Sequence, residues 1–300
     1  MAVTLDTFPV DIQPEYTRTL LTNAFEQSLV GQVVPSQPLT LGGQVIPIYD
    51  GGIEVGLTAE AAEKPTSDFT GRSATLSTAK VATIVVVSRE AALANPANML
   101  DIVEQDLRNS ISRAVDSLVL HGRDPRGTDY TGTNVPVVGA GNAATVAYDD
   151  ADVVGTLLEA YQAAAGEGSD PSAWLFDPRL RADLVLANAT TDVNGNPVRP
   201  ALPNLNTAAA NVAGLPALYG RSVSGRSSQA TDLGVRGIVG DWSKVRYGFV
   251  ERLDIVRSTE ATVGGVSMFE TNQVALLVEA TLGWTCLDQS AFSVIEAAGS

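Results

Sequence analysis

Two periodicities divide the chain. Alternation of apolar and polar residues marks strands, and apolar steps of three and four mark helices. Leu20, Leu21, Ala24, Phe25 and Leu29 follow helical spacing after Pro14, with Pro35 and Pro38 beyond them. Residues 1–40 therefore read as an extended arm around one short helix. Val45, Pro47 and Tyr49 then alternate with polar neighbours until Gly51 and Gly52 interrupt them. A polar stretch, GLTAEAAEKPTSDFTGR, leads into SATLSTAKVATIVVVSRE, whose Thr and Val content predicts one long strand. The pair makes an extended hairpin with a polar tip. An isolated hairpin is marginal in water, so support from a neighbouring subunit is expected.

Leu100, Val103, Leu107, Ile111, Ala114 and Leu118 predict a helix over 96–121. Asn95 is its expected N-cap, with Pro96 at the first helical position and Gly122 as its stop. At 1.5 Å per residue it is a rod of roughly 38 Å. Residues 123–148 read as loop, with a short apolar run from Val135 to Val138. A second helix is expected from Asp149 or Asp150, a strand at Trp174–Phe176, and a third helix capped by Asp177-Pro178. Residues 188–220 read as loop. Strands are expected at 237–240, 247–256, 273–279 and 284–295. The order is α+β rather than a regular βαβ series.

Composition narrows the function. The 300 residues favour about two domains, at roughly 150 residues each. Hydrophobic residues make up 45% and charged residues 18%, which excludes a disordered chain. Asp and Glu total 34 against 19 Lys and Arg, for a net charge of −15. Such a chain is repelled by nucleic acid and by anionic membranes, so nucleic-acid recognition is rejected as its main task. The N-terminus lacks a signal peptide's basic and apolar regions. The strongest apolar run, Val81 to Val87, falls short of the ~20 residues that span a bilayer.

One cysteine, Cys286, and one histidine, His121, exclude an intrachain disulfide, thiolate zinc sites and multi-histidine metal sites. His121 reads as a contact at the end of the long helix. Asp149, Asp150 and Asp152 read as a helix N-terminal acid cluster and not as a cation site, since no EF-hand glycine or glutamate follows. Gly139-Ala140-Gly141-Asn142-Ala143-Ala144 resembles a dinucleotide fingerprint, but the residues after it look extended where a helix is needed. The sequon at Asn188 carries no meaning without secretion. Lys64 sits in the hairpin tip, Asn272 opens a late strand, and Glu279 falls among apolar neighbours on it. That carboxylate either pairs with an arginine or has a raised pKa and a chemical role; the structural pair is the safer reading. No cofactor and no metal site is expected.

Four segments together resemble the major capsid proteins of tailed bacteriophages with the Hong Kong 97 fold. They are AEKPTSDFTGRSATLSTAKVATIVVVSREA, NPANMLDIVEQDLRNSISRAVDSLVLHG, AGLPALYGRSV, and VGDWSKVRYGFVERLDIVRST with FETNQVALLVEATLGWTCLD. The resemblance implies an N-terminal arm (1–40) and an extended hairpin, or E-loop (41–90). It implies a peripheral domain with a spine helix (91–122 and 244–285) and an axial domain (123–243 and 286–300). Hexamers and pentamers of one chain would build an icosahedral shell around double-stranded DNA in a virion assembled in a bacterial cytoplasm. A separate scaffolding protein, which the initiator Met1 favours, and a portal would be partners, with no membrane. In some family members a hairpin lysine forms an isopeptide with a neighbour's asparagine, promoted by a glutamate of a third subunit. Lys64, Asn272 and Glu279 match those roles, Glu279 as the catalytic group. The alternatives are an encapsulin-type cargo compartment and a soluble enzyme with a glycine loop at Gly139.

Overall fold

A computed structural model of the chain describes residues 28–49, 57, 64, 66, 71–88, 99–166, 169–187, 211–227 and 229–297. The first half runs α1 (Leu29–Val33), β1 (Gln37–Pro38), β2 (Gln44–Tyr49), β3 (Gly71–Leu76), β4 (Thr78–Ser88), α2 (Met99–His121) and β5 (Ala144–Tyr148). Then come α3 (Val153–Gly166), β6 (Ala173–Phe176), α4 (Pro178–Ala187), β7 (Asn211–Val212), β8 (Leu215–Tyr219) and β9 (Val235–Gly240). The chain closes with β10 (Val245–Ser258), β11 (Thr262–Val263), β12 (Val266–Ser267), β13 (Gln273–Cys286) and β14 (Phe292–Ala297). This is an α+β fold.

One sheet has four strands in the order β1-β10-β13-β4. β10 and β13 are long antiparallel partners with a bulge between Val250 and Leu253. α2 lies on this sheet, with Leu107 and Ile111 packed against Val81, Val278 and Ala280. Its 23 residues span about 35 Å. The second sheet has six strands in the order β5-β14-β9-β6-β8-β7. It is covered on both faces, which is why β6 reads as the unbroken apolar run Ala-Trp-Leu-Phe. Trp174 and Phe176 join Leu157, Ala160, Leu180 and Leu184 from α3 and α4. Ala173 and Leu175 face the other way, into a core shared with Val115 and Leu118 of α2 and Leu282 and Trp284 of β13. The last turns of α2, from Ala114 to Leu120, are buried all round. That half of the helix is the joint between the two sheets.

The helix ends there for two local reasons. Gly122 takes φ +64, a left-handed conformation that only glycine adopts cheaply. The run Val135–Val138 is not a strand. Its Val137 and Val138 amides instead donate to the Val119 and Leu120 carbonyls, at 3.0 and 2.8 Å, which satisfies groups the helix end leaves unpaired.

Several expectations are corrected. The single strand over 73–90 breaks at Ser77, and its halves pair with different partners, β3 with β2 and β4 with β13. The second helix starts at Val153, because Asp152 caps it: its Oδ1 accepts the Gly155 amide at 2.8 Å. Residues 215–219 are a strand, held parallel to β6. β13 continues past Glu279 to Cys286, and the chain turns at Gln289–Ala291 before β14, so 284–295 is not one strand. The short N-terminal helix spans Leu29–Val33, and Pro38 belongs to β1. Leu20 to Phe25, Asn95, Pro96 and Asn188 lie outside the described residues.

Candidate functional site

Lys64 stands in the chain between β2 and β3 and is exposed. Asn272 immediately precedes β13. It takes φ +53, in a turn where its amide donates to the Phe269 carbonyl at 3.4 Å, and it is exposed. Glu279 lies seven positions further on, about 23 Å along an extended strand at ~3.3 Å per residue. Within one chain Asn272 and Glu279 therefore stand apart.

Glu279 pairs with a lysine, not an arginine. The Lys80 ammonium lies 2.5 Å from its Oε2. Sheet register explains the contact. Glu279 faces Ala82 across the β13–β4 ladder, and Lys80 is the diagonal neighbour on the same face. Lys80 is 58% exposed, so the attraction is weakened by solvent. The sequence signal for Lys80 was its place two residues before Ala82, but only the register makes it a neighbour of Glu279.

The base of the hairpin holds a group that periodicity does not reveal. Asn134 is buried, and its side chain meets both backbone groups of Ser77: Oδ1 accepts the Ser77 amide and Nδ2 donates to the Ser77 carbonyl, each at 2.8 Å. Ser77 is where the long strand breaks, so its ladder bonds are replaced by a side-chain amide. Above this joint the hairpin leaves apolar groups in solvent. Leu41, Val45 and Tyr49 are all at least half exposed, and Phe269, in the turn before β13, is 79% exposed.

A second buried anchor lies on α2. The Asp116 carboxylate accepts the Ser28 hydroxyl at 2.5 Å and the Leu29 and Val30 amides at 3.2 and 3.1 Å. It caps α1 from another helix and fixes the place where the N-terminal segment meets the molecule. Burial pushes its carboxyl above the usual range, and the hydrogen bonds from Ser28, Val30 and Leu29 pull it back.

The remaining candidates are structural. His121 is half-buried at the end of α2, and its Nε2 lies 3.1 and 3.0 Å from the Ser222 and Val223 carbonyls. Nε2–H donates there, and burial pushes the imidazole pKa down. The residue is therefore a neutral donor, not a cation on the helix dipole. Burial pushes the Cys286 thiol up to about 12, which leaves it unreactive. Asp149 and Asp152 accept nearby backbone amides, and among the described residues no cluster of ligands fits a metal. Gly139 is not a phosphate cradle. Asn142 closes the loop on the Gly139 amide at 2.7 Å, Gln289 lies over it, and strand β5 follows instead of a helix. Among the described residues no helix is long and apolar enough to cross a membrane.

Three comparisons bear on this geometry. Residues 10–297 match the model of the phage capsid family. The chain is 28% identical over 295 residues to the probable major capsid protein gp17 of Mycobacterium phage D29, covering 94% of this chain and 88% of that one. A solved structure from Gordonia phage Cozz superposes with a TM-score of 0.76 at 28% identity, over 91% of this chain and 87% of the other. One from Mycobacterium phage Ogopogo gives 0.72 at 22% identity, over 91% and 92%. The fold thus recurs in phage structures, and the chain belongs to the phage capsid family, with its Hong Kong 97-like fold.

Proposed function

We propose that this chain is a major capsid protein, structural rather than enzymatic. Its copies assemble as hexamers and pentamers into an icosahedral shell that encloses double-stranded phage DNA. The observation that carries this reading is the match to the phage capsid family over 10–297. The physical support is the hairpin of β2 and β3, where Val45, and Leu41 just before β2, are each 64% exposed. A two-stranded ribbon gains stability when a neighbour covers that face.

In this reading the hairpin (41–90) is the E-loop and α2 is the spine helix. The four-stranded sheet with residues 91–122 and 244–285 forms the peripheral domain. The six-stranded sheet, in 123–243 and 286–300, forms the axial domain. Residues 1–40 act as the arm, anchored at Asp116. A separate scaffolding protein and a portal are the partners during assembly in the host cytoplasm, and the mature location is the virion.

Lys64 is assigned the attacking amine of an inter-subunit cross-link. Its neutral Nζ adds to the side-chain carbonyl carbon of a neighbour's Asn272, the new C–N bond forms, and ammonia leaves. Glu279 of a third subunit takes the proton from the attacking nitrogen and returns it to the departing one. The roughly 23 Å between Asn272 and Glu279 along one strand means that the two residues at one cross-link come from different chains. Lys80 holds Glu279 in place before assembly.

Pelleting, boiling in detergent and a denaturing gel test both levels. Megadalton particles containing DNA support the shell. Particles carrying an enzyme cargo would point to an encapsulin, and a small soluble oligomer would refute the shell. A ladder of covalent multimers that Lys64→Arg abolishes supports the cross-link. A single band near 31 kDa from intact particles removes it and keeps the shell.

A further inference from the structure

A cavity of about 930 Å³ opens where α2, the start of α4 and the 3₁₀ turn Arg221–Ser224 converge. Arg113, Arg179, Arg221 and Arg226 all line it, against two carboxylates, Asp106 and Asp177. This is unexpected in a chain with 34 acids and 19 bases. Four of those bases, all arginine, gather on one concave surface.

The acids there do not neutralise them. Asp177 is almost wholly buried and already bound by Arg179, at 2.8 and 3.0 Å. Arg179 also reaches Asp232 at 2.7 Å. Arg113 has one long contact to Asp106, 3.5 Å, with both side chains largely exposed. Arg221 and Arg226 are exposed, and neither has an acid within ion-pair distance among the described residues. They leave two guanidinium forks, and much of a third, available in the cavity.

The turn that carries them is held rigidly. Its own Val223 and Ser224 are buried, and Gly225 closes it at φ +65. His121 donates from below to the Ser222 and Val223 carbonyls. The Leu233 amide donates to the Ser224 carbonyl at 2.9 Å. Arg221 and Arg226 bracket this pinned turn, so their main-chain positions are set before any ligand arrives.

We propose that this cavity binds a phosphate-bearing polyanion. A single carboxylate is satisfied by one arginine, as Asp177 is by Arg179. Several forks spread around a cavity match an anion whose charge recurs over neighbouring groups. Planar guanidinium pairs with phosphate oxygens in a bidentate way that lysine cannot reproduce. The phosphates come either from a free oligophosphate or from a nucleic-acid backbone, bound without reading sequence. The cavity lies within one chain, so the inference stands apart from shell assembly.

Tripolyphosphate is titrated calorimetrically into the full-length protein, and a 20-base-pair duplex is followed by fluorescence anisotropy, both at low and moderate salt. At least one probe is expected to bind and to weaken as salt rises. Arg221→Ala with Arg226→Ala should weaken it by roughly tenfold or more, the loss of two charge-assisted contacts. Arg221→Lys with Arg226→Lys, which keeps the charge, should fall between, and Lys244→Gln, outside the cavity, should change nothing. Binding of tripolyphosphate identifies a free oligophosphate site, and binding of the duplex alone identifies a backbone site. If neither probe binds, or if the alanine pair binds as tightly as the parent, the proposal fails. It fails equally if only a glutamate-rich peptide binds through these arginines, since the cavity then takes protein carboxylates.

Discussion

At the scale of single residues, the informative groups are buried polar ones with defined partners. His121 is neutral because burial disfavours its charged form. Its folded pKa lies below the ordinary value of 6.5. As pH falls through 6.5 the unfolded chain takes up a proton that the folded chain refuses. This group's contribution is therefore present above 6.5 and is lost as pH falls toward the folded value. Stability should therefore be lower at pH 5.5 than at pH 7.5. Urea midpoints at pH 7.5 and 5.5 should show this drop in the parent and a smaller one in His121→Gln. Asn134 supports a second prediction. Asn134→Ala leaves the Ser77 amide and carbonyl without their partner, at a cost of about 2 kcal/mol. Denaturant unfolding measures that cost, and protease cleavage between β2 and β3 should accelerate with it. Unchanged stability would mean that water replaces the amide without penalty.

At the scale of elements, register decides which residues meet. β1 runs parallel to β10 with Gln37 opposite Gly248, and a side chain at 248 would collide with the Gln37 carbonyl. Gly248→Val is expected to expel β1 from the sheet and cost about 2–3 kcal/mol, read as a lower denaturant midpoint and faster amide exchange at Leu39. The Lys80–Glu279 pair is a different case. It bridges two strands, but solvent reaches it, so Glu279→Gln should change stability by under ~1 kcal/mol. If Glu279 promotes a cross-link, the same substitution abolishes the covalent ladder while particles still form. A fall of several kcal/mol would show that the carboxylate is needed for folding and would leave its chemical role unsupported.

At the scale of the whole molecule, α2 joins the two sheets. Its last turns are packed by residues from both, including Ile238 and Val294 on one side and Leu282 and Trp284 on the other. Asp116 adds the N-terminal segment to this joint. Asp116→Ala removes the hydrogen bonds to Ser28, Leu29 and Val30 at once and leaves the first two amides of α1 unpaired, a cost of about 3 kcal/mol. The proposed shell adds an expectation. Loss of the anchor should lower particle yield, measured by sedimentation, more than it lowers the melting temperature of the unassembled chain, because the arm would reach its neighbours from a shifting origin.

Much of this was legible in the sequence, because periodicity and capping act over a few residues. The long helix, the Asp177-Pro178 helix start and the extended Thr145–Tyr148 segment all follow from local pattern. So does the exclusion of a nucleotide loop at Gly139. Four segments in order also pointed to the capsid family. What local pattern could not supply was pairing over long separations. The break at Ser77 depends on Asn134, 57 residues away. Leu215–Tyr219 is a strand because β6 lies beside it, and Asp116 serves residues 86 to 88 positions earlier. Glu279 met Lys80 only once β13 was in register with β4. The arginines around the turn at Arg221 come together from three separate stretches of chain. The sequence by itself determined which residues are apolar, charged or helix-ending. Only the tertiary structure decided which polar groups satisfy one another, because a hydrogen bond or ion pair depends on distances of about 3 Å that chain separation does not encode.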